Sequence, residues 1–191
     1  MTKIALVAES KNDAQSFKNL FRRKYPGLEF IHIAKNRKGS QLDSDKLKKE
    51  LKAEFSVGAF KYWIFIRDLD DLKTHTEKIK LKNKWFEELN KTTGNKGVFL
   101  LNIYELEALI LADIHNFNRI FKIDLSFSKD PMRQPKPKEY LMQKTAKHHR
   151  KYKENDCPEL FEKLDTSILI KRCGYFKDFI ATFDKKLKPA A

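Results

Sequence analysis

The run Phe60-Lys61-Tyr62-Trp63-Ile64-Phe65-Ile66-Arg67-Asp68-Leu69-Asp70-Asp71 places six aromatic or β-branched residues among its first seven, then three carboxylates within four positions. An apolar stretch of that length and composition predicts a strand buried on both faces. Open α/β sheets present ligands at the carboxyl ends of such strands. Asp68 and Asp70 are two residues apart, so a backbone that stays extended would point both to one side. This acidic strand end is the first candidate site.

Working towards the N-terminus, Lys3–Ala8 reads as a buried first strand followed directly by Glu9. Ser10 or Asn12 can cap the next helix, in which Ala14, Phe17, Leu20 and Phe21 recur at helical spacing before Pro26-Gly27 stops it,. Glu29–Ala34 is a second strand. A polar loop from Lys35 to Gln41 leads to a helix from about Asp43, with Leu47, Leu51 and Phe55 on one stripe,. Beyond the acids, a polar helix is expected from about Lys73 to Asn90, then a loop over Thr92–Asn95. Gly97–Ile103 follows as a fourth strand and Glu105–Ala112 as a helix. Strands alternating with helices predict βαβ units and a mostly parallel sheet. Right-handed crossovers then bring Glu9, Asp68 and Glu105 to one edge, with Glu9 beside Asp68 and Asp70 if the first and third strands are neighbours.

The pattern changes near His115. Ser126–Lys138 holds three of the six prolines and reads as a loop, while Glu139–His149, Pro158–Leu164 and Tyr175–Phe183 read as helices,. Residues 1–114 are therefore expected to form an α/β core of about four strands. Residues 115–191 form a helical C-terminal extension packed on it, within the same compact unit.

The formal net charge of +14 favours a polyanionic partner such as nucleic acid,. Basic residues are densest from Lys144 to Lys153, where Lys144, Lys147, His148, Arg150 and Lys151 are candidate phosphate contacts beside Lys138; a solvated basic face is the plainer alternative,. Arg67 could reach a phosphate or neutralise a neighbouring acid. No apolar run approaches the roughly 20 residues a bilayer requires. Only two cysteines, Cys157 and Cys173, are present, without metal-type spacing, so a reduced cytoplasmic setting is expected,. The chain has no GxxxxGK[ST] phosphate loop, no Gly-rich dinucleotide fingerprint and no GxSxG elbow,. Several carboxylates in one crevice repel each other. A hard cation such as Mg²⁺ relieves this with oxygen ligands, and two such ions could serve phosphodiester hydrolysis. Asp71 and Glu107 read as a turn cap and a structural acid.

A hydrophobic strand ending in Glu9, with Asp13 four residues on, and a second ending in Asp68-x-Asp70 resemble the TOPRIM fold of topoisomerases, primases and OLD-family nucleases. Ser10 stands where that family commonly has Gly. Arg67-Asp68-Leu69-Asp70, Tyr104-Glu105-Leu106-Glu107-Ala108-Leu109-Ile110-Leu111-Ala112-Asp113 and Pro137-Lys138-Glu139-Tyr140-Leu141 extend the resemblance to the TOPRIM-like small proteins encoded beside ABC/SMC-type ATPases in prokaryotic anti-phage loci. The resemblance spans about residues 3 to 186. It implies a Mg²⁺- or Mn²⁺-dependent nuclease acting on DNA or RNA, including tRNA, and held in check by an ATPase partner or by assembly, a homodimer included. By the same resemblance Glu9 is a metal ligand or general base, Asp68 and Asp70 are the ligand pair, Asp13 serves a second ion and Glu105 completes the set. Two rivals stand beside this: a non-catalytic subunit that binds the ATPase or nucleic acid, and a phosphotransfer enzyme. The second wants a downstream Lys and Ser/Thr at strand ends, and the fourth strand, closing in Asn102–Glu105, offers neither.

Overall fold

The computed structural model describes residues 1–33 and 39–188. Among them four strands form one all-parallel sheet, β1 (Thr2–Val7), β2 (Leu28–Ile33), β3 (Tyr62–Asp68) and β4 (Gly97–Asn102), in the order β2-β1-β3-β4. β1 runs in register with β3 from Ile4↔Tyr62 to Val7↔Phe65. β3 and β4 pair from Trp63↔Gly97 to Asp68↔Asn102, which puts Asp68 and Asn102 side by side at the end of the ladder. Ala34, the last residue of the expected second strand, and most of the expected polar loop lie outside the described residues.

The chain winds from β1 outward to β2, then reverses past β1 to β3 and β4, so its connecting helices lie on opposite faces,. α1 (Lys11–Lys24) covers one face, and α2 (Asp45–Val57) and α3 (Thr76–Thr92) cover the other. The two-residue period of the strands serves both layers. Ile4, Leu6, Ile64, Ile66, Val98 and Leu100 face α1, whereas Ala5, Val7, Trp63, Phe65 and Phe99 face α2 and α3. Ser10 caps α1, its Oγ accepting from the Asp13 N–H at 3.0 Å. Gly58 closes α2 in the left-handed conformation (φ 70°) that glycine adopts without penalty,.

Past β4 come α4 (Glu107–Ala112), α5 (Ile114–Phe121), α6 (Pro137–Thr145), α7 (Cys157–Lys163), α8 (Thr166–Arg172) and α9 (Gly174–Leu187), all contributing to the core on the α1 face. Phe17 of α1 meets Phe161 of α7 edge-on at 5.2 Å, and Phe21 stacks on Phe179 of α9 at 5.4 Å. Burying a phenylalanine contributes about 1.5–3 kcal/mol, so this aromatic seam binds the C-terminal helices to the sheet. Arg23 Nη1 donates to the carbonyls of Glu162 and Leu164, satisfying the end of α7,.

Two helices, α5 and α8, lie where the sequence shows only a change of pattern. Each is short, seven or eight residues, and packing rather than propensity sustains helices of that length. The expected helix over 139–149 starts earlier, at Pro137, because proline suits a first helical turn,. It ends at Thr145, whose Oγ1 bonds back to the Leu141 carbonyl and accepts from the Tyr152 N–H.

Candidate functional site

β1 and β3 are adjacent, and the winding reverses between them, so their carboxyl ends open at the switch point of the sheet,. Asp68 shares the phase of Ile64 and Ile66, which sends its side chain to the α1 face,. There the first turn of α1 supplies Asp13. Asn102 Nδ2 donates to Asp68 Oδ1 at 2.8 Å. Asn102 is wholly buried, and its own Oδ1 has no hydrogen-bond partner.

Burial raises the Asp68 carboxyl well above the usual range, and the charges of Asp13, Glu9 and Glu107 add to it against the Asn102 bond,. Asp13 is pushed up to about 6, by burial first and then by Glu9 and Glu154, outweighing its Ser10 hydrogen bonds. Glu107 is pushed up to about 7 by burial and by Glu105, although the Tyr152 hydroxyl donates to its Oε1 at 2.9 Å. These mutual effects place Glu9, Asp13, Asp68 and Glu107 in one electrostatic neighbourhood.

Glu9 sits in that neighbourhood from the other side. It continues the phase of Ala5 and Val7, as Arg67 continues that of Trp63 and Phe65,. Arg67 Nε donates to Glu9 Oε1 at 3.1 Å, and Nη1 and Nη2 hold both oxygens of Asp43 at 2.6 and 3.0 Å. The guanidinium also lies 4.7 Å above the Trp85 ring,. Arg67 is only 8% exposed. It is a buried clamp on two carboxylates, which removes it from the surface cations that could meet a phosphate backbone.

Asp70 does not join Asp68. β3 ends at Asp68, and Asp70 is in the left-handed region at φ 56°, with its N–H donating to the Tyr104 carbonyl at 3.0 Å. That turn cancels the same-side placement of an extended chain. The Asp70 carboxylate is two-thirds exposed and faces Lys82 Nζ at 3.7 Å. Asp71 is a turn residue: its Oδ1 accepts from the Leu72 N–H, and its Oδ2 lies 2.8 Å from both Lys78 and His75. The Lys78 hydrogen bond lowers its pKa. Glu105 is paired with Lys138, whose Nζ is 3.5 Å from Oε1 and whose backbone N–H donates to Oε2 at 3.3 Å.

The basic segment divides. Lys147, His148 and Lys151 are exposed, and Lys144, also exposed, lies 5.4 Å over the Tyr140 ring. Arg150 differs from the expected phosphate contact: it bonds Asp156 and Glu159 at 3.0 and 2.6 Å and sits 4.5 Å over Phe121. Its guanidinium is engaged by acids of the same chain.

Among the described residues no three Asp, Glu, His or Cys side chains are disposed to hold a metal ion between them. The donors on hand are narrower: Asp13 and Asp68, with Asn102, hydrogen-bonded to Asp68 and unpartnered at its own Oδ1. That is an all-oxygen set of the kind Mg²⁺ accepts, one or two carboxylates completed by water and substrate oxygens. Glu9, Asp70 and Glu105, also expected as ligands, each face a cationic side chain already.

Asp43, Asn102 and Glu154 are participants that sequence reading does not single out. Asn102 had a signal, a lone polar residue closing an apolar strand. Glu154 had none: the Asn12 side chain, 142 positions away, ties it in by donating to its carbonyl at 2.7 Å. No protein-family model, no curated protein and no solved structure matches this chain. Among the described residues no helix is long and apolar enough to cross a membrane.

Proposed function

We propose that the chain is a divalent-cation-dependent nuclease whose ion is held by Asp13 and Asp68. The observation that carries this is a pair of half-buried, mutually repelling carboxyls at the sheet switch point, Asp68 being hydrogen-bonded to a buried amide whose Oδ1 has no partner. Desolvating two such charges side by side is costly unless a cation neutralises them, and the nearest basic side chains, Arg67 and Lys138, face other acids. A bound Mg²⁺ or Mn²⁺ would supply a polarised phosphodiester and an activated water. The chain's own residues do the rest. Asn102 orients the Asp68 carboxylate, Arg67 holds Glu9 at the rim as proton acceptor, and the exposed Lys144, Lys147 and Lys151 offer the polymer a salt-sensitive approach. The resemblance to TOPRIM-like partners of ABC/SMC-type ATPases adds control by such an ATPase, an analogy at the level of the fold. The buried free thiols Cys157 and Cys173 suit a reducing cytoplasm,.

The test is incubation of purified protein, alone and with a co-encoded ATPase, with plasmid DNA and total tRNA in Mg²⁺ or Mn²⁺. Cleavage should vanish in EDTA and fall at least a hundred-fold in Asp68→Asn and Asp13→Asn, while Asp70→Asn, altering a solvent-facing Lys82 partner, should keep most of it. One observation favours a second reading, a non-catalytic docking subunit: Glu9, Asp70 and Glu105 are each paired internally with a base. Absence of cleavage under every condition, with ATPase binding intact in Asp68→Asn, would establish that reading instead.

A further inference from the structure

Two cations are built into the acidic crevice, and they differ in kind. Arg67 makes three hydrogen bonds of 2.6–3.1 Å, is stacked on Trp85 and is buried. Lys138, at the start of α6, has its Nζ 3.5 Å from Glu105 Oε1 and 3.7 Å from Glu154 Oε2, beyond good hydrogen-bonding distance, with a third of its side chain exposed,. Burial works against its charge, yet Glu105, Glu107 and Glu154 together hold its pKa above the ordinary lysine value. Its ammonium is thus held between Glu105 and Glu154 without being locked to either. An ammonium on a four-carbon stem is a mobile point charge, unlike the rigid guanidinium fork.

From this contrast we propose that Lys138 is a displaceable internal counter-ion, occupying the Glu105–Glu154 side of the crevice and keeping those carboxylates from a divalent cation. This deepens the reading of Asp13 and Asp68 as a cation site and rests on it. Asn102 Oδ1, buried and without a partner beside Asp68, is the independent sign that the same crevice has unmet demand for a cation. Lys138 lies in the first turn of α6 with a third of its side chain exposed, so its ammonium has a route outward to solvent. Its withdrawal would leave Glu105 and Glu154 without a counter-ion and deepen the negative potential at Asp13, whose pKa already registers Glu154. In the resting chain the crevice would accept one ion weakly. With Lys138 drawn away, for example onto a nucleic-acid phosphate, it would bind cation more strongly, coupling metal loading to the arrival of substrate.

The test uses the full chain without nucleic acid. Mn²⁺ binding is titrated by calorimetry and by the loss of the free-ion paramagnetic signal, for wild type, Lys138→Gln, Lys144→Gln and the double variant Lys138→Gln/Glu154→Gln. The expected result is at least ten-fold tighter binding, or a second bound ion, in Lys138→Gln. Lys144→Gln removes the same charge from the same helix and should stay within about two-fold of wild type. The double variant should lose most of the gain. Equal Mn²⁺ affinity and stoichiometry in wild type and Lys138→Gln would overturn the counter-ion role while leaving the cation site standing. A Lys144→Gln effect as large as that of Lys138→Gln would reduce the role to overall charge and overturn it too. No Mn²⁺ binding by any of the four proteins would overturn the cation site itself.

Discussion

Glu107 shows most directly what burial does to charge at this site. It is 3% exposed, accepts from the Tyr152 hydroxyl, and has its pKa raised from 4.5 to about 7. A carboxyl raised in the folded state keeps its proton between those two pH values, while the unfolded chain has lost its own. Stability therefore falls as pH rises through this window and levels off above it, by about 3 kcal/mol for a shift of this size. Asp13, raised to about 6, tilts the curve the same way. Glu107→Gln can still accept from Tyr152 and carries no titrating proton. Urea midpoints measured from pH 4.5 to 8 should therefore slope less steeply in the variant, with its advantage over wild type greater at pH 8 than at pH 5. Parallel curves would show that Glu107 is not protonated in the fold. Arg67 is the counter-example, a buried charge met by opposite ones: Asp43 is held below the usual carboxylate range by its hydrogen bond to the guanidinium.

At the level of the element, β4 brings Asn102 to Asp68, and its placement starts at Gly97. The Gly97 N–H donates to Asn90 Oδ1 at 2.7 Å, tying the strand to the end of α3. A Cβ at that position would lie 2.5 Å from Asn90 Oδ1 and 2.8 Å from a Phe65 ring carbon. Asn90 cannot retreat without giving up the hydrogen bond, and Phe65 is wedged against Trp85 and Phe86. Gly97→Ala should therefore cost about 1–3 kcal/mol, read as a lowered urea midpoint. An unchanged midpoint would mean that β4 and β3 have slack between them. The helices were legible to different degrees for a similar reason. α1 announces itself through Ser10 and the spacing Ala14, Phe17, Leu20, Phe21. α5 has only eight residues and leans on Phe117 stacking with Phe121 and on Tyr152, which arrives from 31 residues later.

For the whole molecule, the C-terminal helices form part of the sheet's own core. Phe176, Phe179, Ile180 and Phe183 of α9 are all buried on the α1 face, and the Tyr25 hydroxyl donates to Asp184 at 2.6 Å. Four such side chains at about 1.5–3 kcal/mol each amount to much of the roughly 5–15 kcal/mol by which domains are stable. A chain shortened to residues 1–173 should accordingly lack a cooperative thermal transition and show collapsed amide dispersion. A cooperatively folded product would mean that the extension merely decorates a self-sufficient core.

The sequence alone was enough for the features that depend on near neighbours. These are the strand read from Phe60 onward, the alternation with helices that makes the sheet parallel, the helix start at Ser10, and the presence of acids at strand ends. Such features follow from periods of 2.0 and 3.6 residues and from turn chemistry, which are local. Tertiary structure decided how the charges are partnered. The strand phase put Glu9 with Arg67 and Asp68 with Asp13. A left-handed turn carried Asp70 out to Lys82, and packing of the C-terminal half delivered Lys138 and Glu154 to the crevice. Partner choice among charges depends on which distant segments are packed together and how little water remains between them, and no short window of residues carries that information.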